Sequence, residues 1–139
     1  MSACLLGVKC RYDGRDAANS ELLNSVESRC YLPLCPEQLG GLPTPRPAAE
    51  IVGGGGSDVI DGLSAVVTVE GEDVTPHFLK GAEEVLKVAR LFAINEAILK
   101  DNSPSCGVNA VSRGGARVKT TGVTAELLIR AGINTRGIE

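Results

Sequence analysis

The sequence predicts an α/β fold: a single three-layer, Rossmann-like domain over residues 1–139, with a short, mostly parallel sheet flanked by helices. Three observations predict it. The 139 residues suit one domain with a real core, since typical domains run to about 100–150 residues. Hydrophobic residues make up 43% of the chain and aromatics only 3%, so small aliphatics must fill the core, as they do between helices and a parallel sheet. The first 35 residues read as strand, helix, strand, and both strands end in a turn that carries a cysteine.

Residues 2–7 are a short buried strand with its exit turn, which is very short or trimmed because Met1 directly precedes it; residues 9–14 form a polar loop able to reach over the sheet edge. Residues 15–28 are the first helix, because Ala18, Leu22, Leu23 and Val26 recur at helical spacing; 31–34 resume a strand that stops at Cys35. From residue 36 to 62 proline and glycine dominate, a composition that excludes helix and central strand and marks a long loop, functional or disordered, with glycines 53–56 as a flexible linker or lid. Residues 65–69 are extended. Thr75-Pro76 opens the clearest helix, to about residue 92, with threonine as cap, proline in the first turn, and Phe78, Leu79, Ala82, Val85, Leu86 and Ala89 as its apolar face. Residues 97–99 form a buried strand leading into the turn 100–106. After a mobile-looking Gly114-Gly115, residues 124–131 are the last helix, stopped by Gly132, and 133–138 close the sheet.

A net charge of −3 provides no dense basic face, which argues against duplex nucleic acid as a partner. No apolar run approaches the roughly 18 residues of a membrane span, and the start lacks the pattern of a signal peptide, so the expected location is the cytoplasm. Five cysteines, an odd number in such a chain, point to free, metal-bound or catalytic thiols rather than a disulfide framework.

Cys4, Cys35 and Cys106 each sit in a glycine- or proline-flanked turn after an apolar run. Ends of parallel strands converge on one edge, so these thiols suggest a shared metal, an iron–sulfur cluster, or a nucleophile with helpers. Their wide spacing equally allows three small buried hydrophobes. Cys10 and Cys30 read as core or surface thiols. His77, the only histidine, follows Pro76 and is expected at the surface; a Cys–His hydrolase would depend on it alone. Arg11, Arg46 and Lys100 lie in or beside the motif turns and either face the pocket or pair with Asp13 or Glu50. Together with the amides of Gly40 and Gly41, or those at residues 122–124, they are candidates for holding a substrate phosphate.

The set Ser2-Ala-Cys4-Leu-Leu-Gly7, Arg11-Tyr-Asp-Gly14, Cys35-Pro-Glu37, Gly40-Gly-Leu-Pro-Thr-Pro-Arg46, Asp73-Val-Thr75, Ile98-Leu-Lys100, Ser103-Pro-Ser-Cys106-Gly107 and Gly122-Val-Thr124 resembles the DUF523 family over nearly the whole chain. Characterised members of that family are thiouracil desulfidases and related thiouridine-monophosphate desulfidases. The resemblance implies a [4Fe-4S] cluster on Cys4, Cys35 and Cys106 with one iron open to substrate sulfur, and proton handling by Glu37 and Ser103. It implies non-redox replacement of sulfur by oxygen in 4-thiouracil, 2-thiouracil or 4-thiouridine 5′-monophosphate, with release of sulfide. Glu37, two residues from a ligand, suits a general base, and Ser103 a proton donor on the tight turn, with Ser105 as the competing hydroxyl at the substrate. Two other readings stand beside it: a cluster- or zinc-binding module without catalysis, and a cysteine-dependent hydrolase.

Overall fold

Strands β3 (Glu96–Lys100) and β6 (Asn134–Ile138) make the one regular parallel pair, with Glu96 opposite Asn134 and Lys100 opposite Ile138, in a computed structural model that describes residues 1–139. Alternate side chains of a strand point to opposite faces. Ala97 and Leu99 therefore enter a core with Val85, Leu86, Ala89, Ala125 and Leu128, while Ile98 packs on the other side with Leu5, Cys10 and Leu22. The first core belongs to helices α4 (Thr75–Leu91) and α5 (Val123–Arg130), the second to the N-terminal turn and α1 (Ser20–Ser25).

Two further segments lie beside β3. Ser2 N–H donates to Ile98 O (2.9 Å), and Ala3 N–H to Leu34 O (2.9 Å), with Ser2 and Leu34 bridged in parallel. Neither segment continues as a strand. Residues 2–7, expected to be extended, turn at once into a 3₁₀ helix, Ala3–Leu6, which Gly7 ends at φ 86 in the left-handed region. In the 31–34 segment Pro33 has no N–H to give a ladder. The class is α/β as expected, but the parallel layer is short, and two antiparallel pairs stand apart from it: β1 (Ala49–Ile51) with β2 (Val66–Thr68), and β4 (Val111–Arg113) with β5 (Ala116–Val118).

Several elements differ from expectation for local reasons. The helix placed at 15–28 is confined to α1, because Asp13 and Asp16 accept the N–H groups of Arg15 and Ala18 and hold turns there, leaving Asn19 to cap Leu22 N–H. The segment 36–62 holds α2 (Pro36–Leu39), β1 and α3 (Gly56–Ile60). Two of the glycines expected to form a linker or lid serve close approach instead: Gly55 lies against Thr120 and Gly56 against the Gly122 backbone, and Gly55 N–H donates to Asp58 Oδ2 (2.8 Å). Thr75 begins α4, but its hydroxyl accepts Val66 N–H (2.9 Å) and so ties the helix to β2 instead of capping it. Gly114 and Gly115, at φ 57 and 75, form the two-residue turn of the β4–β5 hairpin, pinned by the Glu50 carboxylate on Gly114 N–H. The third core, Ile51, Val59, Val66, Val74, Phe78, Ala82, Val111 and Val123, joins both antiparallel pairs to α3, α4 and α5. No helix is long and apolar enough to cross a membrane.

Helices α2 and α4 approach through glycines. A Cβ on Gly81 would strike the Pro36 carbonyl and one on Gly40 the His77 carbonyl. Gly81→Ala gains about 1 kcal/mol of helix propensity, yet overpacking against fixed backbone costs about 1–3 kcal/mol. The expected outcome is a net loss, read as a lower urea midpoint at an unchanged slope; a raised midpoint contradicts this packing.

Candidate active site

Three turns that leave the parallel layer meet around one cleft of about 420 Å³. Cys4 comes from the 3₁₀ turn after Ser2. Cys35 follows Leu34 and precedes Pro36, which starts α2. Cys106 lies on the turn after β3, where Ser103 Oγ accepts the N–H groups of Ser105 (3.2 Å) and Cys106 (3.0 Å). Asp101, 2% exposed, braces the same turn: it accepts Val108 N–H, Asn109 N–H and Asn109 Nδ2 at 2.6–2.9 Å. Burial alone would raise its pKa, but these donated bonds outweigh burial and hold the carboxyl below the usual range.

Cys4, Cys35 and Cys106 all line the cleft, as do Glu37, Ser103, Arg11, Arg46 and Lys100. Cys10, set aside in the sequence as a core or surface thiol, is buried among them, its carbonyl 3.7 Å from Cys35 Sγ. Its signal in the sequence was its neighbour Arg11, on a loop able to reach the sheet edge. Contact with Cys35 draws the Cys10 pKa down, but contact with Cys4 and burial win and push it up to about 11. The hydrogen bond to Cys10 and burial push Cys35 up strongly; burial, with the charges of Glu37 and Cys35, pushes Cys106 up to about 12 against a hydrogen bond from Ser2. Without metal these are protonated thiols, not activated nucleophiles. Cys30 is exposed and lies outside this cleft.

No three His, Cys, Asp or Glu side chains stand close enough to share one metal ion. A cubane does not require that, because each cysteine binds a different iron. The soft sulfur donors, gathered on one cleft with Cys4 and Cys106 buried and Cys35 half-buried, suit an iron–sulfur cluster, whose binding would displace their protons.

The charged residues divide. Glu37 is half-buried, with Oε2 2.7 Å from Arg46 Nε. Arg46, expected as a substrate ligand, is 4% exposed in its side chain and donates to Glu37, Pro43 O, Thr44 Oγ1 and Cys10 O. Arg11 forms an ion pair with Asp13, Nε 3.5 Å from Oδ1, but its buried Nε makes no hydrogen bond. Burial first, and then the Arg11 cation, pull the pKa of Lys100 below its ordinary value.

Other expected residues lie elsewhere. Ser105 is 1% exposed and outside the cleft, its hydroxyl bonded to Thr124 Oγ1 at 2.8 Å where α5 begins. Gly40 and Gly41 also lie outside the lining, Gly40 against the backbone of α4. Neither glycine therefore presents its amide to this cleft. His77 is half-buried rather than exposed, and its Nδ1 pairs with Gly40 O at 2.9 Å, away from the cysteines.

The family described as 2-thiouracil desulfurase matches residues 1–137. An uncharacterised protein of Bacillus subtilis (strain 168), YbbK, is 44% identical over 135 residues, 95% of this chain and 89% of that protein. A solved structure described as the [4Fe-4S]-dependent thiouracil desulfidase TudS (DUF523Vcz) is 41% identical, with a TM-score of 0.82, over 98% of this chain and 87% of that one.

Ser105→Ala leaves the Thr124 hydroxyl buried and unpaired, at a cost of about 1–3 kcal/mol. The expected result is a lower unfolding midpoint with KM for any cleft ligand unchanged. A raised KM at full stability would place Ser105 at the substrate after all.

Proposed function

The chain belongs to the 2-thiouracil desulfurase family, and we propose that it is a [4Fe-4S]-dependent desulfidase that replaces sulfur by oxygen in a thiolated pyrimidine. The observation that carries the reading is the meeting of Cys4, Cys35 and Cys106 with Glu37 and Ser103 on one cleft. When bound on the three cysteines, the cluster supplies a Lewis-acidic iron with a vacant position, matched to the soft sulfur of a thiocarbonyl. The substrate is 4-thiouracil, 2-thiouracil or 4-thiouridine 5′-monophosphate. Thiocarbonyl and water become carbonyl and hydrogen sulfide, with no net transfer of electrons.

Glu37 is the general base that takes a proton from the attacking water. One of its oxygens is anchored on Arg46, which leaves the other for this task. Ser103 accepts two backbone N–H groups, so its own hydroxyl hydrogen is free to be given to the leaving sulfur or the ring nitrogen. Arg11 and Lys100 are the cations with capacity for an anionic substituent such as a phosphate. The competing Cys–His hydrolase lacks its base, because the single histidine is bonded to Gly40 O outside the cleft.

Anaerobic reconstitution followed by assay of sulfide release tests the reading. The reconstituted wild type is expected to release sulfide from at least one of the three thiopyrimidines and to lose that activity on iron chelation. Glu37→Gln and Ser103→Ala are each expected to reduce kcat about 10²-fold or more at full cluster content. Full turnover in both variants would remove the assigned roles, and a bound cluster with no sulfide release would make the chain a non-catalytic module.

A further inference from the structure

Resting on the reading of Glu37 as the base, we propose that Arg46 is a positioning residue that fixes this carboxylate, rather than a ligand of the substrate. A guanidinium has five N–H donors in a rigid planar fork. In Arg46 four are already directed at protein oxygens: Nε to Glu37 Oε2 at 2.7 Å, Nη1 to Pro43 O and Thr44 Oγ1, both at 3.1 Å, and Nη2 to Cys10 O at 3.0 Å. The side chain is 4% exposed, and a buried cation so engaged has little left with which to grip a phosphate.

The partners come from three separate pieces of chain. Glu37 belongs to α2, Cys10 to the N-terminal loop, and Pro43 and Thr44 to the turn after Gly40-Gly41; the Arg46 N–H also donates to Tyr12 O at 2.9 Å. One side chain thus sets the distance between the helix bearing the base and the loop bearing the fourth thiol. Anchoring Oε2 removes the rotation that would carry the carboxylate away from a bound substrate, and a misplacement of about 1 Å is enough to cost about 10²-fold in rate. Lysine keeps the charge but not the fork, so it cannot hold all these oxygens in one plane.

The experiment compares reconstituted wild type, Arg46→Lys and Arg46→Gly on 4-thiouracil and on 4-thiouridine 5′-monophosphate, with iron content and unfolding midpoint measured on every sample. Arg46→Lys is expected to lose about 10²-fold in kcat by the same factor on every substrate the wild type turns over, with KM nearly unchanged and iron retained. Added guanidinium ion is expected to restore part of kcat to Arg46→Gly and none to Glu37→Gln. In cluster-free protein, the Arg46 Nε–H resonance is expected to shift in Glu37→Gln. A KM that rises for the monophosphate alone makes Arg46 a phosphate ligand and overturns the inference while desulfuration stands. Losses that follow iron content or unfolding, without guanidinium rescue, reduce Arg46 to scaffold and overturn it too. A reconstituted wild type that releases sulfide from no thiopyrimidine removes the functional reading itself, and the inference with it.

Discussion

Two backbone hydrogen bonds, Ser2 N–H to Ile98 O and Ala3 N–H to Leu34 O, decide where every other feature of the cleft falls. They insert the N-terminal residues between the Leu34 segment and β3. Three chain segments then end at the same edge, and each of them runs directly into a cysteine turn. Each bond is worth only about 1 kcal/mol net, but the donors Ser2 and Ala3 are buried, so a slipped pairing would leave buried amides without partners. The short parallel layer is enough because its purpose at this edge is register, while stability comes from the apolar cores on either side of it and beside it.

The cleft combines thiols, of which Cys10, Cys35 and Cys106 resist ionisation, with cations in unequal states. Arg46 is consumed by its protein partners, whereas Arg11 keeps a buried donor without an acceptor and Lys100 has its charge disfavoured by burial and by Arg11. An incoming anion gains from the Arg11 Nε, because a buried donor without a hydrogen-bond partner carries a desolvation cost that a ligand can relieve.

The long-range arrangement was legible in the sequence wherever a strong local signal coincided with burial. Thr75-Pro76 and the apolar face from Phe78 to Ala89 located α4, and the apolar run 97–99 located β3, because period and packing agree there. The turns bearing Cys4, Cys35 and Cys106 were legible for the same reason: each comes after an apolar stretch and carries its own stop residues. What was not legible were the places where a polar side chain competes with regular structure. Asp13 and Asp16 shortened the first helix by bonding backbone nearby, and Gly55 and Gly56, in a run that read as slack, are points of close approach to Thr120 and to the Gly122 backbone. The sequence ranked Ser103 before Ser105 but kept Ser105 at the substrate, and it did not separate Arg11 from Arg46, since the difference lies in partners distant along the chain: Thr124 for Ser105 and Glu37 for Arg46.

The account depends on three particular sulfurs, out of the four on the cleft, holding the cluster and leaving one iron uncovered. The most direct measurement is the iron and acid-labile sulfide content of anaerobically reconstituted Cys4→Ser, Cys10→Ser, Cys35→Ser and Cys106→Ser, each set against wild type. The account predicts a full cluster complement in Cys10→Ser and a large loss in each of the other three. A loss in Cys10→Ser equal to theirs would make Cys10 a fourth ligand, closing the vacant position on which the chemistry rests, and would contradict it.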